Sequence, residues 1–354
     1  MKKFITVICI CLMLCMLLVS CAEPISNGAG NNNQSGNTTS NNNNGNTDNG
    51  GGNGGGNNGP KNDQYTREDD TIYFGSYPQT KVSDTTLIAT LNNKAGTLPE
   101  KNAPAAWTEY GYFVPNPNQN KFEYMWYIDV TEGEDTYRGI YMKYYRPYST
   151  DRPESPSTNY TNQNANGYST TTAYWFKYEP IAWTVLSEAG GKALIVCDLI
   201  IDSQTFSNTY SDQSDYSLST IRAWLNDNFY NVAFNELEKQ FVVKTTVDNS
   251  AASTGNDSNQ FACDNTEDYV FLLSRQEVKN ADYFADNAAR AKTSTDYAKS
   301  QGLKVENEGT SPWWLRSPST ATMAGNVVKS GATYGSETTY YSELGIVPAI
   351  VIKL

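Results

Sequence analysis

The chain has 354 residues, 26 Lys and Arg against 38 Asp and Glu, a net charge of −12 and no histidine. Without an imidazole, Ser-His-Asp and Cys-His triads, HExxH zinc sites and histidine pH switches are excluded. The acidic balance, with no dense Lys/Arg block, argues against nucleic acid as the partner. Only 18% of residues are charged while 25 are tyrosine, a polar-aromatic composition that suits a secreted protein better than a cytosolic enzyme.

Lys2 and Lys3 precede an almost wholly apolar stretch, Phe4 to Leu17, too short to span a bilayer comfortably. Residues 1–20 therefore read as a signal peptide, and Leu18-Val19-Ser20-Cys21 resembles a bacterial lipobox. That resemblance implies cleavage before Cys21 and acylation of its thiol and amine. At about 0.8 kcal/mol per buried CH₂, several acyl chains would hold the protein on a cell membrane or outer membrane, facing away from the cytoplasm. Residues 21–63 follow as a tether, nearly all Asn, Gly, Ser and Thr from Ser26 to Pro60. Such a segment has no apolar area to offset the entropy of ordering, and about 40 flexible residues reach about 35 Å.

Residues 64–354 are long enough for a single domain and show no repeat. Short β-like runs dominate: Thr71 to Phe74, Phe122 to Val130, Tyr137 to Tyr145, Ile181 to Leu186, Ala193 to Ile201, Phe241 to Val247, Tyr269 to Leu273 and Ile346 to Ile352. Helices are few and short. Ser217 or Ser219 caps one carrying Ile221, Trp224 and Leu225, and Asn235 caps the next. Ser274-Arg275-Gln276-Glu277 fits a capping box, and Thr295 to Ser300 stops at Gly302. Strands and helices do not alternate, so the fold class is α+β with a mainly antiparallel sheet.

Four stretches carry a resemblance: Ile72 to Gln79, Tyr174 to Trp183, Ser219 to Asn226, and Trp313 to Pro318 closed by Gly345 to Ala349. In order and spacing they resemble a bacterial family known as domain of unknown function 6273. The closing pattern, Trp-x-Arg-Ser-Pro then Gly-x-x-Pro-Ala, is similar to the end of the sulfatase-modifying-factor branch of the C-type-lectin fold. A C-type-lectin-like head is what that second resemblance implies. It also makes the C-terminal segment the ligand-facing one.

Most of the tryptophans are read as core. Arg316, Pro318, Gly345 and Pro348 are read as framework, with Arg316 forking onto a carboxylate such as Glu179. Alternation sets Trp314 and Arg316 on one face and Trp313 and Leu315 on the other, so one tryptophan of the pair can meet ligand. The stretch from Ser317 to Ser342 is rich in small residues, with Tyr334, Tyr340 and Tyr341 as its aromatic side chains. Those tyrosines, with Trp313 or Trp314, are the candidate contact surface. Cys197 and Cys263 are the two cysteines left beyond Cys21, and a disulfide between them would be worth about 4 kcal/mol in the chain-entropy model.

No catalytic constellation emerges. Glu132, Glu134 and Asp135 read as a solvated turn; Asp248, Asp257 and Asp264 lack EF-hand spacing, and Glu179-Pro180 is followed by Ile181 rather than the Asn of a calcium-lectin triplet. Sulfatase-modifying enzymes use paired reactive cysteines late in the domain, whereas no cysteine follows Cys263 here. The reading is therefore a protein without enzyme activity, cofactor or metal. Two functions from different classes fit it: a lipid-anchored surface module whose head binds a glycan, peptide or envelope component, or a structural envelope-maintenance lipoprotein with no dedicated ligand.

Overall fold

A computed structural model describes residues 64–100, 106–110, 125–146, 161–208, 214–306 and 309–354. The expected signal peptide (residues 1–20), Cys21 and the expected tether through residue 63 lie outside the described residues. The molecule is α+β, built on a nine-stranded and a five-stranded sheet with two small two-stranded ones. No described helix is long and apolar enough to cross a membrane.

The long strand Tyr174–Ala189 organises the larger sheet. Thr71–Lys81 pairs antiparallel along one edge of it, from Thr71 opposite Thr184 to Lys81 opposite Phe176. The other edge is shared: Asp135–Met142 pairs with residues 174–177, and Lys192–Cys197 pairs with residues 183–189. This strand borders two cores. Phe176 and Trp183 enter the main one, while Trp175 faces Leu91, Trp107 and Trp126 on the opposite side. There the helix Thr85–Ala95, capped by the Asp84 carboxylate, covers the sheet, and Trp175 Nε1 donates to Asn92 Oδ1 at 2.9 Å.

The smaller sheet runs Gly335–Thr338, Met323–Val327, Trp313–Thr320, Gly345–Ile346 and Asp202–Ser203. The expected strand Ile346 to Ile352 is broken in the middle. Gly345–Ile346 belongs to the smaller sheet and Ala349–Lys353 to the larger, so Val347-Pro348 carries the chain from one sheet to the other. Proline lacks the N–H that a continuous central strand would need, while its carbonyl accepts from Cys197 N at 2.9 Å. Gly345 is required by close approach, since a Cβ there would lie 2.3 Å from the Ile200 side chain.

Other expectations are shortened. Only Thr245–Val247 of the run Phe241 to Val247 is strand, because Val242 bridges to Ile352 and Val243 N donates to Val351 O at the edge of the larger sheet. The run Ala193 to Ile201 ends as a strand at Cys197. Ser219 caps the helix Thr220–Trp224, Ser274 and Glu277 form the reciprocal capping box, and Thr295 caps Asp296–Ser300. Asn235 Oδ1 accepts from Leu237 N and Glu238 N, but only a single 3₁₀ turn, Glu238–Gln240, follows.

Candidate functional site

A cleft of about 470 Å³ lies between strands of the larger sheet, the loop 204–208 and the helical segment after residue 220. Its sheet wall holds Tyr77, Tyr127 and Arg138, with Tyr110 beside them. Arg138 is buried and forks onto Asp129, Nε to Oδ1 at 2.8 Å and Nη2 to Oδ2 at 2.7 Å. Its guanidinium lies 4.6 Å from the Tyr127 ring centre, and that of Arg146 lies 5.2 Å from the Tyr110 ring centre. Behind this wall the Tyr77 hydroxyl donates to Asp202 Oδ2 at 2.8 Å. Asp202 Oδ1 accepts from Ser203 N and from Gln204 Nε2. Complete burial pushes the Asp202 carboxyl up to about 6, against those hydrogen bonds, which favour the ionised form.

The helical wall is set by two anchors on its far side. Arg222 Nε donates to the buried Asp268 carboxylate at 2.7 Å. Asn226 accepts from Tyr269 N and Val270 N and donates to Val270 O. Residues 222 and 226 are one turn apart, so the opposite face presents Thr220, Trp224, Asp227 and Asn228 to the cleft. Between Thr220–Trp224 and Tyr230–Ala233 the chain makes a π-turn, Leu225–Phe229, which contains Asp227 and Asn228. Such turns recur at functional sites because the widened backbone re-aims the side chains it carries. On the loop side, Asn208 Oδ1 accepts from Thr205 and Thr220 hydroxyls at 2.8 and 3.3 Å.

The residues singled out from sequence are placed elsewhere. Trp313 and Trp314 have no exposed surface; their Nε1 atoms donate to Arg290 O and Gln204 O. The alternation is real, but every residue from Trp313 to Pro318 is buried, because this strand is covered on both faces. Neither tryptophan can therefore join a contact surface. Tyr334 is 78% exposed, while Tyr340 and Tyr341 are half-buried and meet edge to face at 5.4 Å. Arg316 is a framework residue with a different partner from the one anticipated: it forks onto Glu277, Nη1 to Oε2 at 2.5 Å and Nη2 to Oε1 at 3.1 Å. Glu179 instead accepts from the Thr80 amide and hydroxyl.

Cys197 and Cys263 are both free. Cys197 ends a central strand, where burial pushes its thiol up to about 12. Asp248 and Asp257 line a second groove of about 340 Å³ with Glu277 and Arg316, and Asp264 is not among the residues lining it. No group of three or more Cys, Asp or Glu able to hold a metal ion occurs among the described residues.

Sequence reasoning missed the cleft because its parts come from seven separated segments. Trp224 was legible only as core, and it does double duty: 8% exposed, it packs on Phe229 at 5.8 Å between ring centres and also forms the cleft wall. The available signal was the face Thr220, Trp224, Asp227, Asn228 on one helical segment, polar on either side of an aromatic.

No curated protein and no solved structure matches the chain. One family does: residues 190–354 match the family described as a domain of unknown function (DUF6273). The matched part contains Ser219 to Asn226, Trp313 to Pro318 and Gly345 to Ala349, whereas Ile72 to Gln79 and Tyr174 to Trp183 precede it. The matched part, residues 190–354, also holds the helical segment that supplies one wall of the cleft.

Proposed function

We propose that the protein is a lipid-anchored, extracytoplasmic binding protein, with a C-type-lectin-like head that takes its ligand in the cleft between the larger sheet and the helical segment 220–233. The observation that carries this reading is the cleft itself. It combines aromatic side chains, polar groups and a π-turn, at a volume typical of small-ligand sites, about 300–1,000 Å³. Binding is preferred to catalysis because the carboxylate with a raised pKa, Asp202, lies behind the wall and its oxygens are engaged by Tyr77, Ser203 and Gln204. The anchor rests on Lys2-Lys3, the apolar stretch and Leu18-Val19-Ser20-Cys21.

The test is an array of glycans, peptides and envelope components probed with the full-length chain, wild type against Asp227→Ala/Asn228→Ala. Both positions are exposed, so the fold should survive the change. Loss of the array signal in this variant, with an unchanged Tm, supports the cleft. A signal retained there but lost on replacing Tyr334, Tyr340 and Tyr341 by Ala would move the site to the Tyr334 surface.

A further inference from the structure

We propose that the occupant of this cleft is a neutral saccharide, an inference that rests on the cleft being the binding site and adds the class of ligand. The argument starts from the groups that line it and remain unspent on the protein. Tyr127, Trp224, Asp227 and Asn228 line the cleft, and among the described residues no hydrogen bond is made by the Tyr127 hydroxyl, Trp224 Nε1 or the Asp227 and Asn228 side chains. Asn208 is oriented by its two threonine donors so that the amide nitrogen, with two N–H groups, is left for a ligand. Donors and a carboxylate acceptor are therefore interspersed around an aromatic wall. That mixture matches vicinal hydroxyls, each of which donates and accepts, on a ring with apolar C–H faces.

Charge excludes the other ligand classes. Arg138 is the only lysine or arginine lining the cleft among the described residues, and Asp129 neutralises it through two hydrogen bonds. Asp227 adds negative charge, so an anionic ligand would meet repulsion, and among the described residues lining the cleft no other lysine or arginine offsets it. A cationic ligand would seek the tyrosine faces, yet guanidinium groups already lie over Tyr127 and Tyr110. An apolar peptide would need a continuous hydrophobic surface, whereas among the described residues Ile221, Ala223 and Val232 are the only aliphatic side chains lining it.

The experiment titrates the full-length chain with maltotriose, cellotriose, mannotriose and triacetylchitotriose, reading tryptophan fluorescence and calorimetric heat. Tetramethylammonium and glucuronate serve as the charged comparisons. The expected result is saturable binding of at least one neutral trisaccharide, with a shift in Trp emission. Tyr127→Phe and Asp227→Asn, each removing one polar function and little volume, should each weaken it about tenfold, the effect of losing one good hydrogen bond. Their Tm values should match wild type. If none of the four sugars binds, or if binding is indifferent to both variants, the saccharide inference is overturned. Should tetramethylammonium or glucuronate bind instead and Asp227→Asn alter that binding, the cleft remains the site and only the ligand class fails.

Discussion

Arg316 shows how one residue type settles its partner by reach. Its guanidinium is buried and satisfied from three directions, by Leu272 O at 2.6 Å, Asp248 O at 3.1 Å and the Glu277 carboxylate. Glu277 also accepts from Ser274 N at 2.6 Å, so one carboxylate closes both an ion pair and a capping box. Glu277→Ala would strand a buried cation and open the helix start, at a combined cost of about 3–5 kcal/mol. Glu277→Gln keeps the acceptor and the cap and should cost clearly less. Urea unfolding of both variants checks this; equal stabilities would mean that the charge on Glu277 contributes nothing. The capping box was visible in Ser274 to Glu277, since it is a local pattern. The Arg316 pairing was not, because 39 residues separate the partners and several carboxylates compete.

At the scale of elements, the strand Thr71–Lys81 and the helical segment ending at Ala233 meet at Gly75. Its φ is +69°, and a Cβ there would lie 2.6 Å from the Phe234 ring and 2.7 Å from Ala233 O. The pairing register shifts between Tyr73 and Ser76, so the strand bulges where the helix end presses on it. Gly75→Ala therefore incurs both a left-handed backbone cost and a steric one. We expect a loss of more than about 2 kcal/mol, measured by denaturant unfolding. A variant as stable as wild type would show that the Phe234 ring can give way freely. The same contact positions the end of the segment that lines the cleft, so the bulge in one element fixes the aim of another. Strand existence was legible from the apolar run Ile72 to Phe74; the bulge was not, because only the packed helix makes Gly75 necessary.

For the whole molecule, the junction of the two sheets passes through Asp202. It sits on the smaller sheet and receives the hydroxyl of Tyr77 from the larger one. Because burial raises its pKa to about 6, the folded state holds a proton that the unfolded chain releases near pH 4. Folding is therefore favoured by this group below about pH 4, and that contribution is lost as pH rises towards 6, about 3 kcal/mol in all. Asp202→Asn cannot ionise. Its Tm relative to wild type should rise steadily from pH 4 to pH 7, as followed by thermal unfolding in a pH series. A difference that is flat across this range would show that Asp202 does not titrate there.

The sequence by itself determined what depends on neighbours along the chain: the α+β class, the caps at Ser219, Ser274 and Thr295, and the burial of Trp183 and Trp224. Each follows from propensity, capping chemistry or the transfer of large apolar surface out of water, and needs no knowledge of distant residues. Only the tertiary structure decided that Trp313 and Trp314 are both buried, that Glu277 rather than Glu179 holds Arg316, and that Cys197 and Cys263 stay apart. Alternation tells which side chains share a face, but whether a face is covered depends on what packs there. Tyr127, Arg138, Asn208 and Asp227 come to one cleft because the sheet and the segment 220–233 close on each other, and that closure is made by contacts between residues far apart in the chain.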